Sequence, residues 1–352
     1  MKFLMLDLDT LRPDHLGCYG YYRHTSPNLD AIASDGMRFD NYHCSDAPCL
    51  PSRASLVTGS FGIHNGAINH GDTTADLRIF GEGRDFHDSV LENNLFFLFR
   101  RAGFYTATIS SFAERHSSYW FNAGFHEVIN CGERGDETAD EVLSLTMKWL
   151  ESNKERDNWF LHINMWDPHT PYRAPAEMGN PFADSPMPEW ITPEVFEKHK
   201  KHVGPHSVNE LGMYWDTSPV GYPRQAGKAS TIKELKDVID NYDCDILYMD
   251  SRIGKIIDYL KQNDFYDDCA IIVTSDHGEN MGELGIYSEH GTADEITTRI
   301  PVFWRAFFSI FVVMIPYNQR CIFMRFYRIS IHYRKFKDAF APLSRLKSLI
   351  LR

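Results

Sequence analysis

From residue 231 to residue 262, apolar side chains recur at three- and four-residue intervals: Ile232, Leu235, Val238, Ile239, Tyr242, Ile246, Met249, Ile253, Ile256, Ile257 and Leu260. This pattern leads into Cys269-Ala270-Ile271-Ile272-Val273-Thr274-Ser275. A long amphipathic helix must bury its stripe, and a short run that is apolar at successive positions is a strand covered on both faces. The same alternation recurs along the chain. The apolar run 2–8 ends at Asp9-Thr10 and a loop with Pro13; a helix over 89–101, closed by Gly103, precedes a strand over 105–109; and a helix over 136–153 precedes a strand over 159–164. The 136–153 helix has Val142, Leu145, Met147, Trp149 and Leu150 on its apolar side. Residues 29–33 form an amphipathic fragment closed by Gly36, and a further helix over 52–57, with Ser52 placed to cap it, ends at Gly59. Strand, helix, strand repeated in this way predicts an α/β fold with a mostly parallel sheet and helices on both faces.

The 352 residues are 43% hydrophobic and 24% charged, enough apolar mass for one large α/β domain and too much for a disordered chain. A net charge of −12 argues against gripping nucleic-acid phosphates, which usually takes a basic face. The seven cysteines are odd in number and scattered, with no Cys-x-x-Cys pair, a pattern of reduced thiols rather than a disulfide framework. Acids interrupt the opening apolar run at Asp7 and Asp9, too early for a signal-peptide core, so a cytoplasmic setting is expected. The longest apolar stretch, 306–315, falls short of the ~20 residues that span a bilayer.

Two segments break the pattern. Over 168–228 periodicity fades and ten prolines appear; long loops in α/β enzymes commonly rim the substrate pocket, so this stretch reads as a specificity insert within the domain 1–305. Residues 306–352 carry nine Lys and Arg against one acid, or +8, which leaves −20 for residues 1–305. That tail has ten Phe or Tyr and no Gly. One reading is a basic amphipathic segment lying on a membrane or partner; the other is a truncated or frame-shifted end without function.

Open α/β sheets bind ligands beyond the carboxyl ends of their strands. Candidate groups fall at such places: Asp7 and Asp9 after the first strand, Asp167 to His169 after the strand over 159–164, and Asp276-His277 after the strand ending at Ser275. Carboxylates with one imidazole suit a hard divalent cation, whereas a thiolate zinc site is not expected without paired Cys.

Six segments then follow in order: Asp9-Thr10-Leu11-Arg12-Pro13-Asp14 with Gly17-Cys18-Tyr19-Gly20; Ser26-Pro27-Asn28-Leu29-Asp30; Cys49-Leu50-Pro51-Ser52-Arg53 before Thr58-Gly59; Asp167-Pro168-His169-Thr170-Pro171-Tyr172; Ser275-Asp276-His277-Gly278-Glu279; and His290-Gly291-Thr292 before Arg299-Ile300-Pro301. Together they resemble the type I sulfatases over most of residues 1–305. The resemblance implies the alkaline-phosphatase-like α/β/α sandwich and hydrolysis of a sulfate ester, with a sulfated sugar as the substrate class. It also implies that Cys49 is oxidised to formylglycine. The hydrated aldehyde is a geminal diol: one oxygen attacks sulfur and the alcohol leaves, and the second hydroxyl expels sulfate as the aldehyde re-forms. A serine would stay sulfated.

By matching position, the resemblance makes Asp9, Asp276 and His277, with the modified Cys49, ligands of one Ca²⁺ or Mg²⁺. Asp7 joins them as a further ligand, although Leu8 intervenes where many relatives carry adjacent acids; positions 7 and 9 share a strand face. Arg53 would hold the diol and offset negative charge, while His169 and His290 would face the substrate, bind sulfate oxygens and protonate the leaving alcohol. A transient formylglycine-generating enzyme is implied as a partner. Ser60 stands where family members often have Arg or Lys, and Ser110 to His116 replaces the usual Gly-Lys-Trp-His, leaving Arg115, His116 and His70 as substitutes. The family's C-terminal subdomain is expected to be missing or replaced by the tail. The rival readings are a phosphonate or phosphodiester hydrolase of the same superfamily, and an inactive truncated product.

Overall fold

The structure is a computed structural model that describes residues 1–71, 74–77, 94–212, 217, 219 and 221–305. The tail 306–352 and the first part of the expected 89–101 helix lie outside the described residues.

Nine strands are described: β1 (Lys2–Leu8), β2 (Met37–Phe39), β3 (Tyr105–Ile109), β4 (Glu127–Ile129), β5 (Trp159–Met165), β6 (Cys269–Thr274), β7 (Asn280–Met281), β8 (Tyr287–Glu289) and β9 (Val302–Arg305). Seven form one sheet in the order β2-β9-β6-β1-β5-β3-β4. The run from β6 to β4 is parallel, and β9 lies antiparallel between β6 and the edge strand β2. β1 and β5 are buried at all seven positions, as a central parallel strand must be when both faces are covered. A separate hairpin pairs β7 with β8.

The helices that matter for the site are α1 (Pro27–Ser34), α2 (Cys49–Thr58), α3 (Leu95–Arg101), α4 (Ala139–Ser152), α5 (Pro193–His199) and α6 (Ile232–Gln262). Side chains alternate across a strand. Leu4, Leu6 and Leu8 therefore enter the core under α1, α4 and α6, while Phe3 and Met5 enter the opposite core with Cys49, Leu50, Ala54 and Val57 of α2 and Phe96 of α3. The same alternation sends Asp7 to the α2 side, with Asp9 just beyond the strand end. The expected parallel sheet, covered on both faces, is what the chain forms.

Helix starts differ from expectation where caps decide. Thr138 with Glu141, and Thr231 with Glu234, form reciprocal capping boxes, so α4 begins three residues later than expected and α6 one later. In α4, Leu143 and Thr146 are buried while Leu145 and Met147 are half-buried, a rotation of the expected apolar face. α2 starts at Cys49, three residues before the expected Ser52, and the Ser52 hydroxyl caps nothing: it donates to the Asp276 carbonyl at 2.6 Å. Within 168–228, Tyr172, Phe182, Ile191, Phe196, Val208 and Leu211 bury into the same core as α6. Among the described residues no helix is long and apolar enough to cross a membrane.

Candidate active site

β1, β5 and β6 are neighbours, so their carboxyl ends deliver side chains to one place, and the N-terminus of α2 arrives there from the second core. Asp9, Cys49, Asp276 and His277 converge, with their ligand atoms all within 4.8 Å of one another and all four residues buried. The turn after β1 carries Thr10 in the left-handed region at φ 53°, unfavourable for a β-branched residue. It is held there by Thr10 N donating to Asp276 Oδ1 at 3.1 Å and Leu11 N donating to Ser275 Oγ at 3.0 Å. Gly278 has to be glycine, because a Cβ there would lie 2.1 Å from the Ile296 carbonyl oxygen. That close approach fixes the backbone beside His277.

Arg53, one turn after Cys49 and fully buried, ties the carboxylates together. Its Nε and Nη2 reach Asp7 at 2.7 and 3.1 Å, and its Nη1 reaches Asp9 at 2.9 Å and Asp276 at 2.6 Å. The three acids respond differently. Burial alone would raise Asp7, but the two-pronged Arg53 contact and His162 outweigh it and hold that carboxyl at about 2. Asp9 and Asp276 share a single Nη1: burial raises both against the pull of Arg53, with the charge of Asp7 adding at Asp9 and that of Asp9 adding at Asp276, which reaches about 6. A second positive charge would relieve that pair. Asp9 Oδ1 is buried with no hydrogen-bond partner among the described residues, as fits a ligand atom awaiting a cation.

Asp7 sits differently from the other predicted ligands. Its oxygens face Arg53 and His162, whose Nε2 is 3.3 Å away, and it is not one of the four converging groups. Asp167, the other strand-end acid, lies elsewhere: its Oδ2 accepts the Ala139 N–H at the start of α4 at 2.8 Å. Sequence reasoning did not single out His162. Its signal was a titratable side chain in strand β5, apolar apart from it and Asn164, where Thr108 Oγ1 fixes its other ring nitrogen at 2.9 Å.

His277 Nδ1 faces the Gly278 carbonyl at 2.9 Å and must donate to it, so Nε2 of the neutral ring keeps its lone pair. That Nε2 lies 3.1 Å from Cys49 Sγ. Burial, reinforced by Asp9 and Asp276, pushes the Cys49 thiol far above its usual range, so the free thiol is neutral. His290 stacks on His277 with ring centroids 4.5 Å apart, and His169 meets His290 edge-on at 4.9 Å. Burial lowers both His169 and His290 well below the ordinary histidine range, leaving neutral rings that can donate or accept. The His290 and Gly291 N–H groups both donate to Glu289 Oε1, and Glu289 Oε2 pairs with His206 Nε2 at 2.9 Å, so the insert helps to place His290. His70 and His116 also come to Cys49, with ring centroids 4.7 Å apart. Arg115 lies over the Trp166 ring at 4.8 Å.

A mostly parallel α/β sandwich of this kind, here with acids, imidazoles and a buried cysteine gathered beyond its strand ends, is the alkaline-phosphatase-like fold. The sulfatase family model matches residues 3–306, and the chain belongs to that family. It is 25% identical to choline-sulfatase of Rhizobium meliloti over 74% of this chain and 54% of that protein, and 23% identical to N-acetylglucosamine-6-O-sulfatase of Bacteroides thetaiotaomicron over 86% of this chain and 62% of that one. The chain thus spans a little over half the length of these relatives. Its fold matches that of the phosphonate monoester hydrolase of Agrobacterium radiobacter with a TM-score of 0.62 at 22% identity, covering 87% of this chain and 68% of that one.

Proposed function

We propose that this chain hydrolyses sulfate esters of a sulfated carbohydrate, with Cys49 matured to formylglycine and one Ca²⁺ or Mg²⁺ bound. The observation that carries the reading is the buried convergence of Asp9, Cys49, Asp276 and His277 within 4.8 Å. Two carboxylates and an imidazole, with one carboxylate oxygen unpartnered, are a donor set that fits a hard dication. When present, the dication and the hydrated aldehyde supply an activated oxygen nucleophile that a serine could not regenerate. The likeness to an N-acetylglucosamine-6-O-sulfatase supports the sugar class.

The chain's own residues have separable tasks in this reading. Asp9, Asp276 and His277 hold the cation, and Asp7 acts with them as a further acid that fixes Arg53. Arg53, a permanent cation one helical turn from position 49, orients the oxygen there and offsets charge that builds on the sulfate. His169 and His290 meet edge-on, His290 stacked on His277, and they share binding of the sulfate oxygens and protonation of the departing alcohol. The domain 1–305 with 168–228 as specificity insert is the catalytic unit, and His169 and His206 are residues of the insert that reach the site. None of the six described cysteines is paired in a disulfide, which supports a cytoplasmic setting and a maturation enzyme there as transient partner.

The test is mass spectrometry of the Cys49 peptide from the native host, paired with turnover of an aryl sulfate and an aryl phosphodiester. Formylglycine at position 49 and a sulfate preference are expected. A phosphodiester or phosphonate preference transfers the chain to the rival hydrolase, and an unmodified thiol with no turnover marks it as inactive.

A further inference from the structure

Cys49 has a second set of neighbours besides Asp9, Asp276 and His277. The ligand atoms of Cys49, His70 and His116 lie within 4.8 Å of one another. The two histidines reach the sulfur from separate parts of the chain. His70 sits in a turn closed by Ile68 N and Asn69 N on the Thr74 carbonyl at 2.7 and 3.1 Å. His116 follows the short helix Phe112–Arg115, its ring lying 4.8 Å from that of Phe112. Nε2 of each ring is buried with no hydrogen-bond partner among the described residues. Leaving a buried polar nitrogen unpaired is costly, and two such nitrogens beside one buried thiol can both be satisfied by a single cation.

We propose that, while Cys49 is an unmodified thiol, its Sγ together with His70 and His116 forms a Zn²⁺ site with one coordination position open. One sulfur and two imidazoles form a borderline-soft donor set, unlike the oxygen-rich set that Asp9 and Asp276 bring to the same residue, and three protein ligands leave a tetrahedral ion its fourth position. Burial holds His70 at about 4 and His116 at about 2, so both rings are neutral and their lone pairs free at pH 7. On binding, the S–H bond breaks, its proton passes to solvent, and the sulfur electron pair enters the S–Zn bond with no change of oxidation state. The ion adds net positive charge beside the Asp9 and Asp276 carboxylates. The site exists only before maturation, since formylglycine has no sulfur.

The test uses the full chain with Cys49 verified by mass spectrometry as a thiol, titrated with Co²⁺ as a spectroscopic stand-in and then with Zn²⁺. One equivalent of Co²⁺ should give tetrahedral d–d bands and a thiolate charge-transfer band, both removed by Zn²⁺ and both absent in Cys49→Ser. His70→Ala and His116→Ala should each weaken Zn²⁺ binding by at least about tenfold, while Asp9→Asn changes it far less. X-ray absorption on the unaltered Zn²⁺-loaded chain, which no folding defect in a variant can obscure, should show one sulfur at about 2.3 Å and nitrogens at about 2.0–2.1 Å. An oxygen-and-nitrogen shell without sulfur, a charge-transfer band surviving Cys49→Ser, or affinity unchanged in both histidine variants overturns the proposal. None of these readouts depends on sulfate hydrolysis, so the site can fail while the hydrolase reading stands.

Discussion

Without Arg53, three buried carboxylates would face one another with no cation among them. Removing one partner of a buried ion pair costs about 3–5 kcal/mol, so Arg53→Met should lower the unfolding free energy by about that much in urea. Arg53→Lys should recover only part of the loss, because an ammonium cannot reproduce the fork that spans Asp7 while reaching Asp9 and Asp276. A destabilisation below about 1 kcal/mol for Arg53→Met would show that the acids are neutral in the folded state.

The His206–Glu289 pair sets a pH window of its own. The His206 hydrogen bond, against burial, holds Glu289 at about 2, below its ordinary 4.5; its share of stability is present above 4.5 and fades as pH falls toward 2. Burial would lower His206, but the Glu289 bond and charge raise it above the ordinary 6.5. The His206 share is therefore full below 6.5 and is lost as pH rises through the raised folded value. Melting temperature should decline on that alkaline side in the wild-type chain and flatten there in His206→Gln; equal slopes in the two proteins would count against the pairing. At this scale the sequence displayed the acids, Cys49, Arg53, His169, His277 and His290, but neither His162 nor His206. It did not show that Asp7 turns both oxygens toward Arg53 or that Asp167 is spent on a helix start, because each outcome depends on which N–H lies nearest after folding.

At the scale of elements, α2 links the two halves of the site, since it carries Cys49 and Arg53 while its Ser52 grips the Asp276 backbone. Ser52→Ala removes one buried hydrogen bond, a loss of about 0.5–1.5 kcal/mol in denaturant unfolding. It should also reduce turnover more than stability, because position 49 and the β6 end lose their direct tie; a stability loss with unchanged turnover would assign Ser52 to the scaffold alone. The start of α6 was legible to within a residue in Thr231 and Glu234, since a capping box is a local signal. The start of α2 was not. Its first residue makes no side-chain cap, and the helix is held at that end by the sheet it packs on.

At the scale of the whole molecule, the insert is part of the main core, with Phe182, Phe196, Val208 and Leu211 buried beside the α6 side chains. Phe196→Ala should cost about 3–5 kcal/mol and shift one cooperative calorimetric transition. An early separate transition for the insert would show that it folds apart from the sheet. The chain's own order of residues determined the strand and helix alternation, the parallel sheet, and which acids and imidazoles stand at strand ends, because these follow from local periodicity and from side-chain direction on a pleat. Only the tertiary structure decided that Arg53 spans Asp7, Asp9 and Asp276, that His206 braces the His290 turn, and that His70 and His116 meet at Cys49. Those contacts join residues far apart in sequence, and sheet order and the packing of α2, which no local pattern encodes, bring them together.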